Sequence, residues 1–229
     1  MHNFDFPEGE LLLIDKPYDW TSFDVVNKVR CLLKNHLKLK KIKVGHAGTL
    51  DPLATGLLIV CTGKFTKRID EFQALNKEYT GSFIIGATTP SSDLETLIDK
   101  TFDYSHVSQE MIYQAAKTLT GFVQQEPPLF SAKKIEGVRA YEMARKGSGQ
   151  RMETKEVEIK EFTITKIQLP SIEFRVQCSK GTYIRSLARD FGNILGCGAY
   201  LNSLCRTKIG NFHLENAFKI NDFEFMLNQ

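Results

Sequence analysis

Residues 45–56 read Gly-His-Ala-Gly-Thr-Leu-Asp-Pro-Leu-Ala-Thr-Gly and run straight into the apolar stretch Leu57-Leu58-Ile59-Val60. Glycines at 45, 48 and 56 let the backbone turn sharply and approach a neighbour closely. Pro52 has a fixed φ and biases the residue before it, Asp51, toward an extended conformation. The segment is a constrained loop feeding a buried strand, and it carries one carboxylate. Two readings stay open on these residues alone. Asp51 is either an acid presented for chemistry or the backbone cap of a surface turn, since Asp-Pro is a common turn pair.

Strand and helix signals are interspersed along the rest of the chain. Leu11-Leu12-Leu13-Ile14 suits a buried strand. Ser22 is a candidate cap for a helix whose Val25, Val26, Val29, Leu32 and Leu33 share one face. Residues 57–61 read as a strand and 62–72 as a short basic helix. Tyr79, Gly81, Phe83 and Ile85 alternate along a strand with one buried face. Ser108 opens a helix reaching about Leu119, with Gly121 left-handed at its end. Val157 to Cys178 form two alternating segments divided by Pro170-Ser171, a hairpin-like pair. Thr182 opens a helix with Ile184, Leu187, Ala188, Phe191, Ile194 and Leu195 on one face, ended by Gly196. Leu201, Leu204 and Ile209 mark a last strand. This mixture predicts an α+β fold with a central mixed, largely antiparallel sheet flanked by helices. Residues 1–229 are expected to form one domain. Residues 122–151, broken by Pro127, Pro128, Gly137, Gly147 and Gly149, read as an excursion from it.

The 229 residues, 42 % of them hydrophobic, suffice to bury a core without staples. Five widely spaced cysteines with no Cys-x-x-Cys pair indicate neither a zinc site nor a disulfide framework. They read as core residues in a reducing compartment. The N-terminus lacks a signal-peptide pattern and no apolar run reaches membrane-spanning length, so a cytoplasmic location without membrane contact is expected. The net charge of +3 says little, but its distribution says more. Lys28, Arg30, Lys34, Lys38, Lys40, Lys41 and Lys43 fall between Val25 and Leu50 with no Asp or Glu among them. Such a run is either a solvated helix face with a basic loop or a surface for a polyphosphate backbone.

Motifs along the chain resemble one family in that family's order. They are Asp15-Lys16-Pro17 with Thr21-Ser22, the Gly45–Gly56 loop, Lys77-Glu78-Tyr79, and Gln125-Glu126-Pro127-Pro128 with Ser131-Ala132-Lys133. Cys178-Ser179-Lys180-Gly181-Thr182-Tyr183-Ile184-Arg185, Leu195-Gly196-Cys197-Gly198-Ala199 and Arg206-Thr207-Lys208-Ile209-Gly210 follow. Together they resemble the TruB family, the tRNA pseudouridine-55 synthases, from about Gly9 to Phe212. The resemblance implies the pseudouridine synthase fold and isomerisation of uridine in the T-loop of tRNA. It implies no cofactor, no metal and no protein partner, and a monomer is expected.

That reaction breaks the bond between ribose C1′ and uracil N1, turns the base and re-bonds it through C5. It needs an ionised carboxylate at the sugar, a shielded pocket and a proton acceptor. The resemblance gives the first role to Asp51. To Arg185 it gives the role of keeping that carboxylate ionised where burial alone would raise its pKa. On the residues alone, Arg185 pairs with Asp190 or Glu173. Tyr79 is implied as a stacking partner for the flipped uracil with a part in proton transfer. Tyr183 and Leu204 are implied as pocket walls. His46 is implied as a substrate contact to the T-loop rather than an acid or base. Lys16 either contacts phosphate or braces the pocket. Asp15, Asp19, Asp24, Asp93 and Asp190 read as caps or pairs. The excursion, with Lys133, Lys134, Arg139, Arg145, Lys146 and Arg151, reads as an RNA clamp.

Three departures stand out. Asp19 replaces a usual glycine, a substitution that tolerates left-handed geometry better than most. Thr88–Asp93 lacks the expected acidic and threonine alternation, and Phe130 stands where tyrosine is common. The length leaves no room for a C-terminal PUA domain, which predicts weaker and more salt-sensitive RNA binding than in longer relatives. The competing classes are a non-catalytic RNA-binding or RNA-folding module and an aspartate-nucleophile hydrolase. The second would need acidic metal partners beside Asp51.

Overall fold

A computed structural model describes residues 4–128, 134–135, 138–139 and 153–228. In chain order the elements begin with β1 (Leu11–Lys16), α1 (Ser22–His36), β2 (Val44–His46), β3 (Thr55–Thr62), α2 (Ile69–Ala74) and β4 (Lys77–Ile85). Next come β5 (Ala87–Thr88), β6 (Lys100–Thr101), α3 (Gln109–Thr118), β7 (Gly121–Gln125), β8 (Lys134–Ile135) and β9 (Val138–Arg139). The remainder is β10 (Lys155–Gln168), β11 (Ser171–Cys178), α4 (Ile184–Leu195), β12 (Ala199–Ile209), β13 (Phe212–His213), β14 (Phe218–Lys219) and α5 (Ile220–Leu227). The chain groups into two compact units, Met1–Tyr79 with Leu204–Gln229, and Thr80–Ser203. Among the described residues no helix is long and apolar enough to cross a membrane.

In the first unit β3 is central. It runs antiparallel to β1, from Leu11↔Cys61 to Lys16↔Gly56, and parallel to the end of β12 through Cys205↔Thr55 and Arg206↔Gly56. β14 adds in parallel to β1. A strand buried on both faces reads as a continuous apolar run, which accounts for Leu57–Cys61. Leu58 and Val60 pack with Val25, Val29 and Leu33 of α1 and with Phe223 and Leu227 of α5. Leu57, Ile59 and Cys61 pack on the other face with Ala47, Phe72 and Ile209.

The cap of α1 is Thr21, not Ser22. Thr21 Oγ1 accepts from the Asp24 amide at 3.0 Å, and Asp24 Oδ2 accepts from the Thr21 amide at 2.8 Å. This reciprocal box needs its acid three residues after the cap, and Asp24 stands three after Thr21. The Ser22 hydroxyl is thereby free to bond near Asp51. The expected basic helix over 62–72 is a 3-10 turn, Gly63–Arg68, followed by α2. The segment after Ile209 carries β13, β14 and α5, which the sequence pattern did not announce. Two-residue strands have no readable period.

In the second unit the order is β4-β11-β10-β7. The hairpin is as expected: β10 and β11 pair antiparallel from Ile159↔Cys178 to Gln168↔Ser171, turning at Leu169-Pro170. Its core is aromatic. The rings of Phe83 and Phe174 lie 4.3 Å apart, and Phe162 and Phe191 lie within 6.2 Å of the Phe83 ring. Ser108 caps α3 as expected, accepting from the Met111 amide. Gly196 ends α4 left-handed at φ 72°. Gly121 is left-handed as well, but it opens β7 after the helix has closed on Leu119. The start of the expected excursion, Phe122–Gln125, is ordinary sheet, paired with β10. Apart from β8 and β9, which pair with each other, residues 129–152 lie outside the described residues, including most of the expected clamp.

Candidate active site

Asp51 sits in the first unit, on the loop between β2 and β3, and three buried side chains hold that loop. The Ser22 hydroxyl accepts from the Leu50 amide at 2.8 Å, one residue before the acid. Lys16 has no surface exposure. Its ammonium donates to the carbonyls of Pro17 at 3.0 Å, Trp20 at 2.5 Å and Pro52 at 3.1 Å. Three carbonyls use all three of its donors. Of the two roles open to Lys16, these bonds are the contacts that bracing needs. The Asp19 amide also donates to Pro52 O, at 3.0 Å, from a residue at φ 64°. Aspartate therefore keeps the left-handed turn that glycine would have supplied.

The third staple is Arg206, only 1 % exposed. Its Nε donates to Leu57 O at 2.8 Å and its Nη2 to Gly48 O at 3.1 Å, joining both ends of the loop. Glycine is required where β3 passes this residue. Gly56 has φ 102°, and a Cβ there would lie 2.5 Å from Arg206 O. Neither Ser22, released from capping, nor Arg206 was singled out as functional from sequence. Both lie in recognised motifs, Thr21-Ser22 and Arg206–Gly210, which is the one available signal.

Charge follows the same geometry. Burial pushes the Lys16 ammonium down to about 8; the Asp51 carboxylate opposes that shift and Arg206 adds to it. Burial also lowers His46, again with Arg206 adding to it and the Gly48 backbone opposing. Burial and the neighbouring guanidinium thus both disfavour the charged imidazolium of His46. Tyr79 and Leu204 lie in the same unit, 8 % and 9 % exposed.

Replacing Arg206 by Met leaves two carbonyls without donors. Urea melts are expected to show a loss of about 2–4 kcal/mol. NMR titration is expected to show the His46 pKa rising toward the usual value near 6.5, because a neighbouring cation has gone.

The second unit holds Arg185 and Tyr183. Arg185 lies in the first turn of α4, and its side chain is 4 % exposed. Its Nε is 3.5 Å from Oδ2 of Asp93, itself 8 % exposed, and its Nη1 donates to Ser91 O at 3.5 Å. This corrects the pairings read from sequence. Asp190 pairs with Arg189 at 2.9 Å and Glu173 with Lys166 at 3.8 Å. Asp93 is both a pair and a cap, since its Oδ1 accepts from the Glu95 amide at 3.0 Å. Spacing hides this partner, because 92 residues separate Asp93 from Arg185. Tyr183 is the cap residue of α4, and its amide donates to Gln125 Oε1 at 2.7 Å. The next turn also grips that segment: Ser186 Oγ donates to Glu126 O at 2.7 Å.

Comparisons with known proteins bear on the family of the chain. Residues 34–184 match the model of the TruB family pseudouridylate synthase N-terminal domain, and residues 185–228 match the tRNA pseudouridylate synthase B C-terminal domain. The chain is 57 % identical to a tRNA pseudouridine synthase B of Flavobacterium johnsoniae over 96 % of each chain. It is 53 % identical to that of Parabacteroides distasonis, over 98 % of this chain and 96 % of the other. Among solved structures it resembles a chain of a Cbf5-Nop10-Gar1 complex, with TM-score 0.71 and 28 % identity over 96 % of this chain. It spans 54 % of that longer chain. The likeness in fold, the ordered motifs and the matched models have one conclusion: the chain belongs to the TruB family of pseudouridylate synthases.

Proposed function

We propose that this chain isomerises uridine to pseudouridine at position 55, in the T-loop of tRNA, with Asp51 as the group that meets the sugar. The observation that carries the reading is the Asp51 loop itself, tied by Ser22, Lys16 and Arg206 through bonds within the protein. Such positioning is what a reaction at a single carbon requires.

The target base must first leave its stack, as for other enzymes that work on a base. Asp51 then meets the electron-poor C1′ as its bond to N1 breaks. The detached uracil turns within the pocket, C5 bonds to C1′, the C5 proton leaves and N1 gains a proton. Atoms balance without an oxidant or an energy source. Tyr79 stacks on the base and takes part in proton transfer, Tyr183 and Leu204 wall the pocket, and Arg185 carries the balancing positive charge. His46 contacts the RNA loop, and Lys16 acts through the loop it braces. The reading carries a cytoplasmic location, where tRNA is processed.

The test is to incubate the chain with an unmodified tRNA transcript and map pseudouridine by carbodiimide-dependent primer extension. One stop at the T-loop uridine is expected. A transcript that is bound but yields no stop would favour a binding module instead.

A further inference from the structure

Five cations of the first unit gather in a groove that no acid lines among the described residues. Arg30 and Lys34 of α1 and Lys40, Lys41 and Lys43 of the next loop line a groove of about 400 Å³, together with Ile42. The turn after α1 builds it. The Leu37 amide returns to Leu33 O, Lys38 adopts φ 53°, and the Leu39 amide returns to Lys34 O at 3.0 Å. A left-handed lysine costs on the order of 1 kcal/mol that glycine would spare. That turn brings residues 40–43 into one groove with Arg30 and Lys34. The Arg30 guanidinium is fixed, donating to Asn27 Oδ1 at 2.6 Å and Val44 O at 3.1 Å.

Some cations elsewhere in this unit have acids. Lys28 pairs with Glu224 at 2.8 Å, Lys64 with Glu8 at 2.7 Å and Arg68 with Glu71 at 2.9 Å. Among the described residues Lys34, Lys40, Lys41 and Lys43 make no ion pair. Lys40, Lys41 and Lys43 are exposed. Mutually repelling charges kept in a concave surface call for an anion from outside. β2, three residues and about 10 Å long, leads from this groove to the Asp51 loop.

We propose that the groove holds the phosphate backbone of the substrate RNA outside the target loop. The proposal rests on the reading of tRNA as substrate. Lysines on a loop are suited to this, because they follow phosphates as point charges and read no base.

The test uses the full chain with Lys40, Lys41 and Lys43 all changed to Ala. Affinity for an unmodified tRNA transcript is measured across a salt series. Single-turnover pseudouridine formation is measured at saturating enzyme. Affinity is expected to fall about 10- to 100-fold near 0.1 M salt, and the log–log salt slope to become shallower by about 2–3. The saturating rate is expected to stay that of the parent, and a triple Lys→Arg variant to keep the parent slope. An unchanged affinity and slope would overturn the proposal. So would weaker binding with an unchanged slope, which marks a shape effect rather than lost phosphate contacts. Loss of binding to anionic vesicles with tRNA binding intact would give the groove to a membrane surface, overturning it as well. A parent chain that makes no pseudouridine while the slope still changes would sink the activity reading alone. An active parent with an unaltered variant slope would sink the groove alone.

Discussion

Asp51→Asn is expected to lower the rate of tritium release from RNA labelled at uracil C5 by at least about 10⁴-fold while leaving tRNA affinity within a few-fold of the parent. The amide has nearly the shape of the carboxylate. The three staples bond backbone atoms of neighbouring residues, so the loop keeps its place: Ser22 at Leu50, Lys16 at Pro52, and Arg206 at Gly48 and Leu57. What changes is charge. Asp51 is the foremost group holding up the Lys16 ammonium against burial, so its loss is expected to push Lys16 further below about 8. A variant that keeps a tenth or more of the parent rate would remove Asp51 from the chemistry and leave it a turn-forming residue.

The second large effect is at Arg185. Its partner Asp93 is buried beside it, so Arg185→Met strands a carboxylate in the interior. Breaking such a pair costs about 3–5 kcal/mol, whereas removing both charges is often near neutral. Chemical melts are therefore expected to show a strongly destabilised Arg185→Met and a largely recovered Arg185→Met/Asp93→Asn double variant. Catalysis is expected to behave differently. Both variants should lose about 10²–10³-fold in saturating rate, because the positive charge is absent from each. Recovery of rate along with stability would make Arg185 a structural ion-pair partner only.

Much of the molecule was readable in order of residues. The continuous apolar run 57–61, the 3.6-residue spacing from Val25 to Leu33 and the alternation on either side of Pro170-Ser171 each became the element they implied. The helix and the hairpin are long enough to show a period, and the run 57–61 is apolar without a break, as a strand buried on both faces must be. The errors were local and short. Ser22 lost the cap to Thr21 because a carboxylate three residues onward decides a capping box. β13 and β14 went unread because strands of two residues leave no period to find, and α5 because two turns of helix carry too few apolar positions to mark a face.

Sequence order alone determined which loop carries the candidate acid, which residues flank it and which family the motifs belong to, since motif and period are properties of neighbours along the chain. Only the tertiary structure decided what holds that loop and what sits beside the second unit's arginine. Lys16 closes on Pro52 from 36 residues away, Arg206 on Gly48 from 158, and Asp93 meets Arg185 across 92. Contacts that distant follow from how strands are ordered in a sheet. Each depends on burial that removes water as the competing partner, and spacing along a chain records neither.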